Sequence, residues 1–124
     1  SSTADDFIQT VKMDHVVWKL EVYQVMLGVS DKSADNFANH QNCRLGKWYF
    51  TGGGAEKYAN YNAFKQLDAP HAQVHNSGLS ALKAMQAGNM QQAVRDLAVM
   101  ESSSVEVVNL LTTLSHEIAQ NTLG

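Results

Sequence analysis

The stretch DDFIQTVKMDHVVWKLEVYQVMLG, residues 5–28, decides the fold class. Its apolar residues and one histidine recur at steps of three and four, the period of a helix with one face against a partner. Asp5 and Asp6 suit the positive N-terminal end of such a helix, and Gly28 suits its termination. The core-facing stripe consists of Ile8, Val11, His15, Trp18, Val22 and Val25.

Two further segments repeat this period, at about residues 58–87 and 89–121. Asn89 is a good N-cap for the last helix. Proline disfavours a helical conformation of the residue before it but is tolerated in the first turn of a helix. The only proline, Pro70, therefore predicts that the first of these segments is interrupted and that a new helix begins near residue 68 or 69, capped by Asp68.

The region between the first two long segments is shorter and more irregular. Residues 30–42 are polar and without a clear period, which predicts a loop or a short irregular helix. CRLGKWYF, residues 43–50, predicts a helix of about two turns that the glycines at 52–54 stop. The pattern as a whole predicts an all-α fold, an antiparallel four-helix bundle with a short extra helix that carries Cys43, in one domain spanning residues 1–124.

Composition excludes several functional classes. The 124 residues include 9 Lys and Arg, which are scattered, against 12 Asp and Glu, so no basic patch for nucleic acid or an anionic membrane is expected. No apolar run is long enough to span a bilayer. The single cysteine excludes an intramolecular disulfide and favours a reducing compartment, which predicts a cytoplasmic location.

Two histidines four residues apart, His71 and His75, lie on one face of the predicted helix, one turn apart. Such a pair can bind one metal ion, but it also fits a polar helix face. His15 interrupts an apolar stripe, either as a core histidine bonded to a carbonyl or as a third ligand. Burying several imidazoles without partners is costly, and a shared cation would remove that cost.

Cys43 can be a small buried side chain or a fourth ligand. It stands at the start of a predicted helix, where backbone N–H groups favour a thiolate. One thiolate and three neutral imidazoles form a borderline-soft tetrahedral set that suits zinc, although cobalt, nickel or copper would bind the same atoms. The residue types and their spacing by themselves leave both a metal-bound and a metal-free domain possible.

Three blocks in order, HVVWK at 15–19, CRLGKWYF at 43–50 and LDAPHAQVH at 67–75, closely resemble the chemoreceptor zinc-binding domain family. The resemblance implies a four-helix bundle with one zinc per chain. It also implies attachment to the signalling domain of a bacterial chemoreceptor or diguanylate cyclase, so that the chain is a fragment of a larger homodimeric protein. Carried over by motif, the zinc ligands are His15, Cys43, His71 and His75.

The expected function is a regulatory zinc sensor rather than an enzyme. Four protein ligands would leave no position for a catalytic water, and no HExxH helix is present. The input is zinc availability, oxidation of the zinc-bound cysteine by an oxidant such as hypochlorous acid, or both. The alternatives are a structural zinc site in a helical dimerisation or docking module, and a metal-free interaction module.

Four other residues are candidates for lesser roles. His40 could compete as a ligand, but its polar surroundings predict a solvated loop, and His116 is expected at the surface. Asp14 and Asp68 are candidates to accept a hydrogen bond from a ligating imidazole.

Overall fold

The computed structural model describes residues 3–123. Within that range the chain contains five α-helices and one short 3-10 helix, and no strand. The prediction of an all-α helical bundle is confirmed. The elements are α1 (Thr3–Met26), the 3-10 helix (Ala34–Asn36), α2 (Arg44–Phe50), α3 (Gly53–Lys57), α4 (Asn62–Gln86) and α5 (Met90–Leu123).

The long helices α1, α4 and α5 form the bundle, and side-chain contacts fix their directions. Along α1, residues 12, 19 and 23 contact residues 112, 104 and 101 of α5, so these two helices are antiparallel. A tight turn at Gly88 joins α4 to α5, which also makes them antiparallel neighbours. Helices α1 and α4 therefore run in the same direction, and the segment with α2 and α3 connects them.

The stripe predicted on α1 is the face that the bundle buries. All six of its residues are buried, including the histidine. Helix α5 contributes its own stripe to the same core. Its largest fully buried side chains are Met100, Val107, Leu111 and Leu114.

The long helices begin and end at the predicted capping residues. Gly28 and Gly88 have φ of +77° and +80°, a left-handed conformation that glycine adopts without a Cβ penalty, so α1 and α4 end just before them. The Asn89 side chain accepts a hydrogen bond from the backbone N–H of Gln92 at 3.1 Å, which caps α5 as expected.

The predicted interruption at Pro70 is wrong. Helix α4 continues through Pro70, so the bundle has three long helices, and Asp68 lies inside α4 rather than at its N-cap. Pro70 is buried, and its packing outweighs the helical hydrogen bond that proline cannot donate. The glycines at 52–54 follow the end of α2 as predicted, and a short helix that the sequence does not predict, α3, begins among them at Gly53.

None of the helices in the described part of the chain combines the length and apolar character that crossing a bilayer requires.

Candidate metal centre

Cys43 is the N-cap residue of α2. Its Sγ accepts a hydrogen bond from the backbone N–H of Gly46 at 3.4 Å, and its thiol faces the carbonyl of His40 at 3.7 Å. A Cβ at position 46 would lie 2.0 Å from that same carbonyl oxygen. Glycine at 46 therefore lets the preceding loop close over the start of α2 and holds the sulfur in place.

His71 and His75 lie one turn apart on the buried face of α4, each with 3 % of its surface exposed. Their ring centroids are 4.9 Å apart, and Nε2 of His71 is 3.4 Å from Sγ of Cys43. One donor atom from each of the three side chains lies within 4.8 Å of the other two. The helix period and the N-cap geometry of α2 thus bring three predicted ligands together.

The second nitrogen of His75 is fixed by the loop before α2. Nδ1 of His75 donates to the carbonyl of Ala38 at 2.9 Å, which leaves Nε2 as the nitrogen able to bind a metal. Trp18 donates from its indole N–H to the same carbonyl at 3.1 Å and packs against the imidazole, with centroids 4.3 Å apart. The carbonyl of Ala38 and the indole of Trp18 therefore fix the orientation of this ring. Metal-binding histidines are commonly oriented in this way by a hydrogen bond to their second nitrogen.

His15 lines the same cavity of about 330 Å³ but lies outside the cluster of three. It is buried, and its Nε2 is 2.7 Å from Oγ of Ser104 on α5. The structure therefore brings Cys43, His71 and His75 within ligating distance of one another, and it places the fourth predicted ligand on the wall of their cavity, bonded to a serine.

A chain of polar contacts continues from that serine. Lys19 donates to Oγ of Ser104 at 2.9 Å and forms an ion pair with Glu101 at 2.5 Å. The hydroxyl of Tyr23 donates to the same carboxylate at 2.5 Å. These contacts link the ring of His15 to the interface of α1 and α5. The sequence analysis does not predict this role of Ser104, although the position of this serine within the apolar stripe of α5 is a signal that could have indicated it.

Burial keeps the three histidines neutral. It lowers the pKa of His15 to about 4, of His71 to about 3 and of His75 to about 4, and the positive charge of Lys19 lowers the pKa of His15 further. Neutral imidazole is the form that binds a metal, so these rings need not lose a proton at neutral pH.

The thiol of Cys43 behaves differently from the sequence expectation. Burial raises its pKa, and the backbone N–H groups of Gly46 and Leu45 offset only part of that effect. Without a cation the half-buried sulfur is therefore held as a thiol, and metal binding must displace its proton.

The candidate hydrogen-bond acceptors have other partners. A carboxylate oxygen of Asp14 is 3.0 Å from Nε of Arg44, and one of Asp68 is 3.5 Å from Nε2 of His40. His40 is also less solvated than predicted, since its side chain is 19 % exposed and its ring centroid lies 5.7 Å from that of His71. His116 is exposed, as predicted.

The donor set fits a zinc ion by its chemistry. One sulfur and two imidazole nitrogens converge in a largely apolar, half-enclosed cavity, and a third imidazole stands on its wall. Zinc prefers such mixed nitrogen and sulfur ligands in tetrahedral geometry. Among the described residues no carboxylate belongs to this cluster of donor atoms, although Asp14 lines the cavity beside Arg44.

Comparison with known protein families gives a match to a family described as the chemoreceptor zinc-binding domain, over residues 15–82. That range is more than half of the chain and contains all four predicted ligands. Neither a search of curated proteins nor a search of solved structures found a match.

Proposed function

The chain belongs to the chemoreceptor zinc-binding domain family, and we propose that it is the regulatory zinc sensor of a bacterial signalling protein, of the chemoreceptor or diguanylate cyclase type. The observation that carries this proposal is the convergence of Cys43, His71 and His75 within 4.8 Å inside the matched region. The family is regulatory rather than catalytic, and we propose no reaction for the domain itself.

We assign His15, Cys43, His71 and His75 as ligands of one zinc per chain. The hydrogen bonds that hold the histidines also select the nitrogens that would bind. The carbonyl of Ala38 holds Nδ1 of His75, so this ring would bind through Nε2. The hydroxyl of Ser104 holds Nε2 of His15, so this ring would bind through Nδ1 while Nε2 donates to the serine.

Zinc occupancy is the first proposed input. The assigned ligands lie on α1, on α4 and at the start of α2, so a bound zinc would cross-link three elements that the chain itself joins by long connections. Loss of the ion would leave Cys43 a thiol and free the start of α2 from α4. A change in helix position of this kind can be passed to an attached signalling domain.

Oxidation of Cys43 is the second proposed input. The thiolate attacks the oxidised chlorine centre of hypochlorous acid, and the overall change gives a sulfenic acid on Cys43 and one chloride ion. The sulfur loses two electrons, the chlorine gains them, and the oxygen and its proton pass to the sulfur. A sulfenic acid is a weaker metal ligand than a thiolate, so the short α2 would be released from the site.

We also propose a cellular location and a parent protein for the domain. We place the domain in the cytoplasm, because an oxidant-responsive thiol such as that of Cys43 must start reduced. We also propose that residues 1–124 form a single domain of a larger homodimeric signalling protein, without contacts to nucleic acid or membrane, since the related receptors and cyclases act as dimers.

Metal content tests the site. Native mass spectrometry of the purified domain should find one zinc per chain, and Cys43→Ala and His71→Ala should reduce or abolish it. His116→Ala, an exposed change on α5, is the matched control and should keep the metal. A folded wild type that binds no zinc after incubation with the ion would refute the proposal.

The oxidant input has a separate test. Cys43→Ser should retain weaker zinc binding through the histidines but should not release zinc when hypochlorous acid is added. If this variant releases zinc at the wild-type rate, the redox part of the proposal is wrong.

The alternative function is a structural zinc site in a helical dimerisation or docking module. It is favoured by the placement of the assigned ligands on three separate elements, α1, the start of α2 and α4, which a permanently bound ion would hold together. Thermal melts followed by circular dichroism separate the two functions. A sensor should stay folded after chelation with a lower melting temperature, whereas a structural site should lose its helical signal.

A further inference from the structure

The cavity beside Cys43 has charged side chains on its wall as well as the candidate ligands. Asp14 and Glu21 lie two turns apart on one face of α1, and Arg44 is the first residue of α2. The side chain of Asp14 is 41 % exposed and that of Arg44 is 58 % exposed, so both lie where the cavity meets solvent. A molecule that enters toward Cys43 therefore passes close to these charges.

The charges on this wall do not cancel. Nε of Arg44 is 3.0 Å from Oδ2 of Asp14, and Nζ of Lys32 contacts the carboxylate of Glu21 from outside the wall. Oδ2 of Asp14 is itself buried, whereas most of the Arg44 side chain is in water, which screens its charge. With two carboxylates and one guanidinium among the lining residues, and with its imidazoles neutral, the wall presents net negative charge to an entering molecule.

The charge of Asp14 reaches the sulfur of Cys43. Burial is the main cause of the raised pKa of this thiol, and the negative charge of Asp14 raises the pKa further. A carboxylate that disfavours a thiolate at this place repels any other anion brought to the sulfur for the same reason. A cation or an uncharged molecule meets no such repulsion. Zinc is a dication and hypochlorous acid is uncharged, so both belong to the classes that the wall admits.

We propose that Asp14 is a specificity-determining residue of the metal centre, which admits cations and small uncharged oxidants to Cys43 and disfavours anionic ones. The inference rests on the proposed oxidant input and names the chemical class of the oxidant. The disfavoured class includes anionic disulfides such as glutathione disulfide. Attack of the Cys43 thiolate on that molecule would break its S–S bond, form a mixed disulfide and release one glutathione thiolate. Arg44 opposes Asp14 and limits the strength of the selection.

Two alkylating reagents of similar size measure this selection directly. Iodoacetate is an anion and iodoacetamide is neutral, and because Cys43 is the only cysteine, the intact mass reports its modification. The ratio of the two rate constants is insensitive to the thiolate fraction and to exposure of the sulfur, since these change both rates alike. In the folded, metal-free domain at low ionic strength, the ratio of iodoacetate to iodoacetamide should be about threefold or more below that of the urea-unfolded chain. Added salt should reduce this difference.

Three variants assign the selection to its residues. Asp14→Asn should raise the ratio about threefold, and Arg44→Gln should lower it. Asp6→Asn is the matched control, because Asp6 is exposed on the same helix and does not line the cavity, and it should keep the wild-type ratio. The same order is expected for glutathione disulfide compared with the neutral hydroxyethyl disulfide. Circular dichroism checks the fold of each variant, and the zinc-loaded domain replaces the metal-free one if chelation removes the helical signal.

Four outcomes would overturn the proposal: a folded wild type with the ratio of the unfolded chain, an Asp14→Asn variant with the wild-type ratio, an Arg44→Gln variant with a raised ratio, or an Asp6→Asn variant that shifts the ratio as much as Asp14→Asn. Zinc content, measured on the same samples, reports the metal centre independently. A domain that binds zinc without charge selection refutes only this inference, whereas a folded domain that binds no zinc refutes the proposed function.

Discussion

The neutral histidines of the candidate metal centre predict that the metal-free domain loses stability in acid. In the unfolded chain each would have its ordinary pKa of 6.5, whereas in the fold His15 and His75 have a pKa of about 4 and His71 of about 3. Below pH 6.5 the unfolded chain binds these protons and the folded chain does not. The free energy of unfolding of the metal-free domain must therefore decrease as the pH is lowered from about 6.5 to about 4.

The size of this loss follows from proton linkage. Between pH 7 and pH 5 each histidine removes about 1.8 kcal/mol from the free energy of unfolding, and the three together remove roughly 5 kcal/mol. A domain of this size is stable by roughly 5–15 kcal/mol in total. The metal-free protein should therefore lose a large part of its stability by pH 5.

Urea denaturation in the presence of a chelator, at pH 7, 6 and 5, measures this effect. The midpoint should fall steeply while the slope with urea stays constant. His15→Gln removes one of the three titrating groups and should reduce the pH dependence by about a third. NMR of the folded protein should show none of the three rings protonating above pH 5.

A change of less than about 1 kcal/mol between pH 7 and pH 5 would refute the reasoning, since it would mean that the rings accept protons as easily in the fold as in the unfolded chain. The cavity would then be too hydrated to hold neutral imidazoles for a metal.

Three further predictions follow from close contacts. Gly78→Ala should lower the free energy of unfolding by about 1–3 kcal/mol, because the new Cβ would lie 2.8 Å from the indole of Trp18, and a wild-type urea midpoint would contradict this. Ser104→Ala should weaken zinc binding about tenfold or more by freeing the ring of His15, and tighter binding in a competition titration would mean that the serine competes with the metal. Gly46→Ala should displace the start of α2 and lower zinc affinity, because its Cβ would lie 2.0 Å from a loop carbonyl, and unchanged affinity would show that the loop moves freely.

The sequence determined the fold class and the buried faces of the helices. Steps of three and four are a local property of the chain, so the period alone predicts that all six residues of the α1 stripe are buried, and they are. The spacing of His71 and His75 fixed their common face for the same reason. The three blocks of motif also identified the family.

Only the tertiary structure decided how the segments meet. The sequence around Pro70 predicts a break, but burial between helices keeps α4 continuous, and no local rule weighs packing against one lost hydrogen bond. The meeting of Cys43 with α4, and the serine that holds His15, depend on side chains from separate helices. The helix period therefore determined which residues face inward, and the motifs which of them are candidate ligands, whereas long-range packing determined which nitrogens of His15 and His75 are occupied by hydrogen bonds.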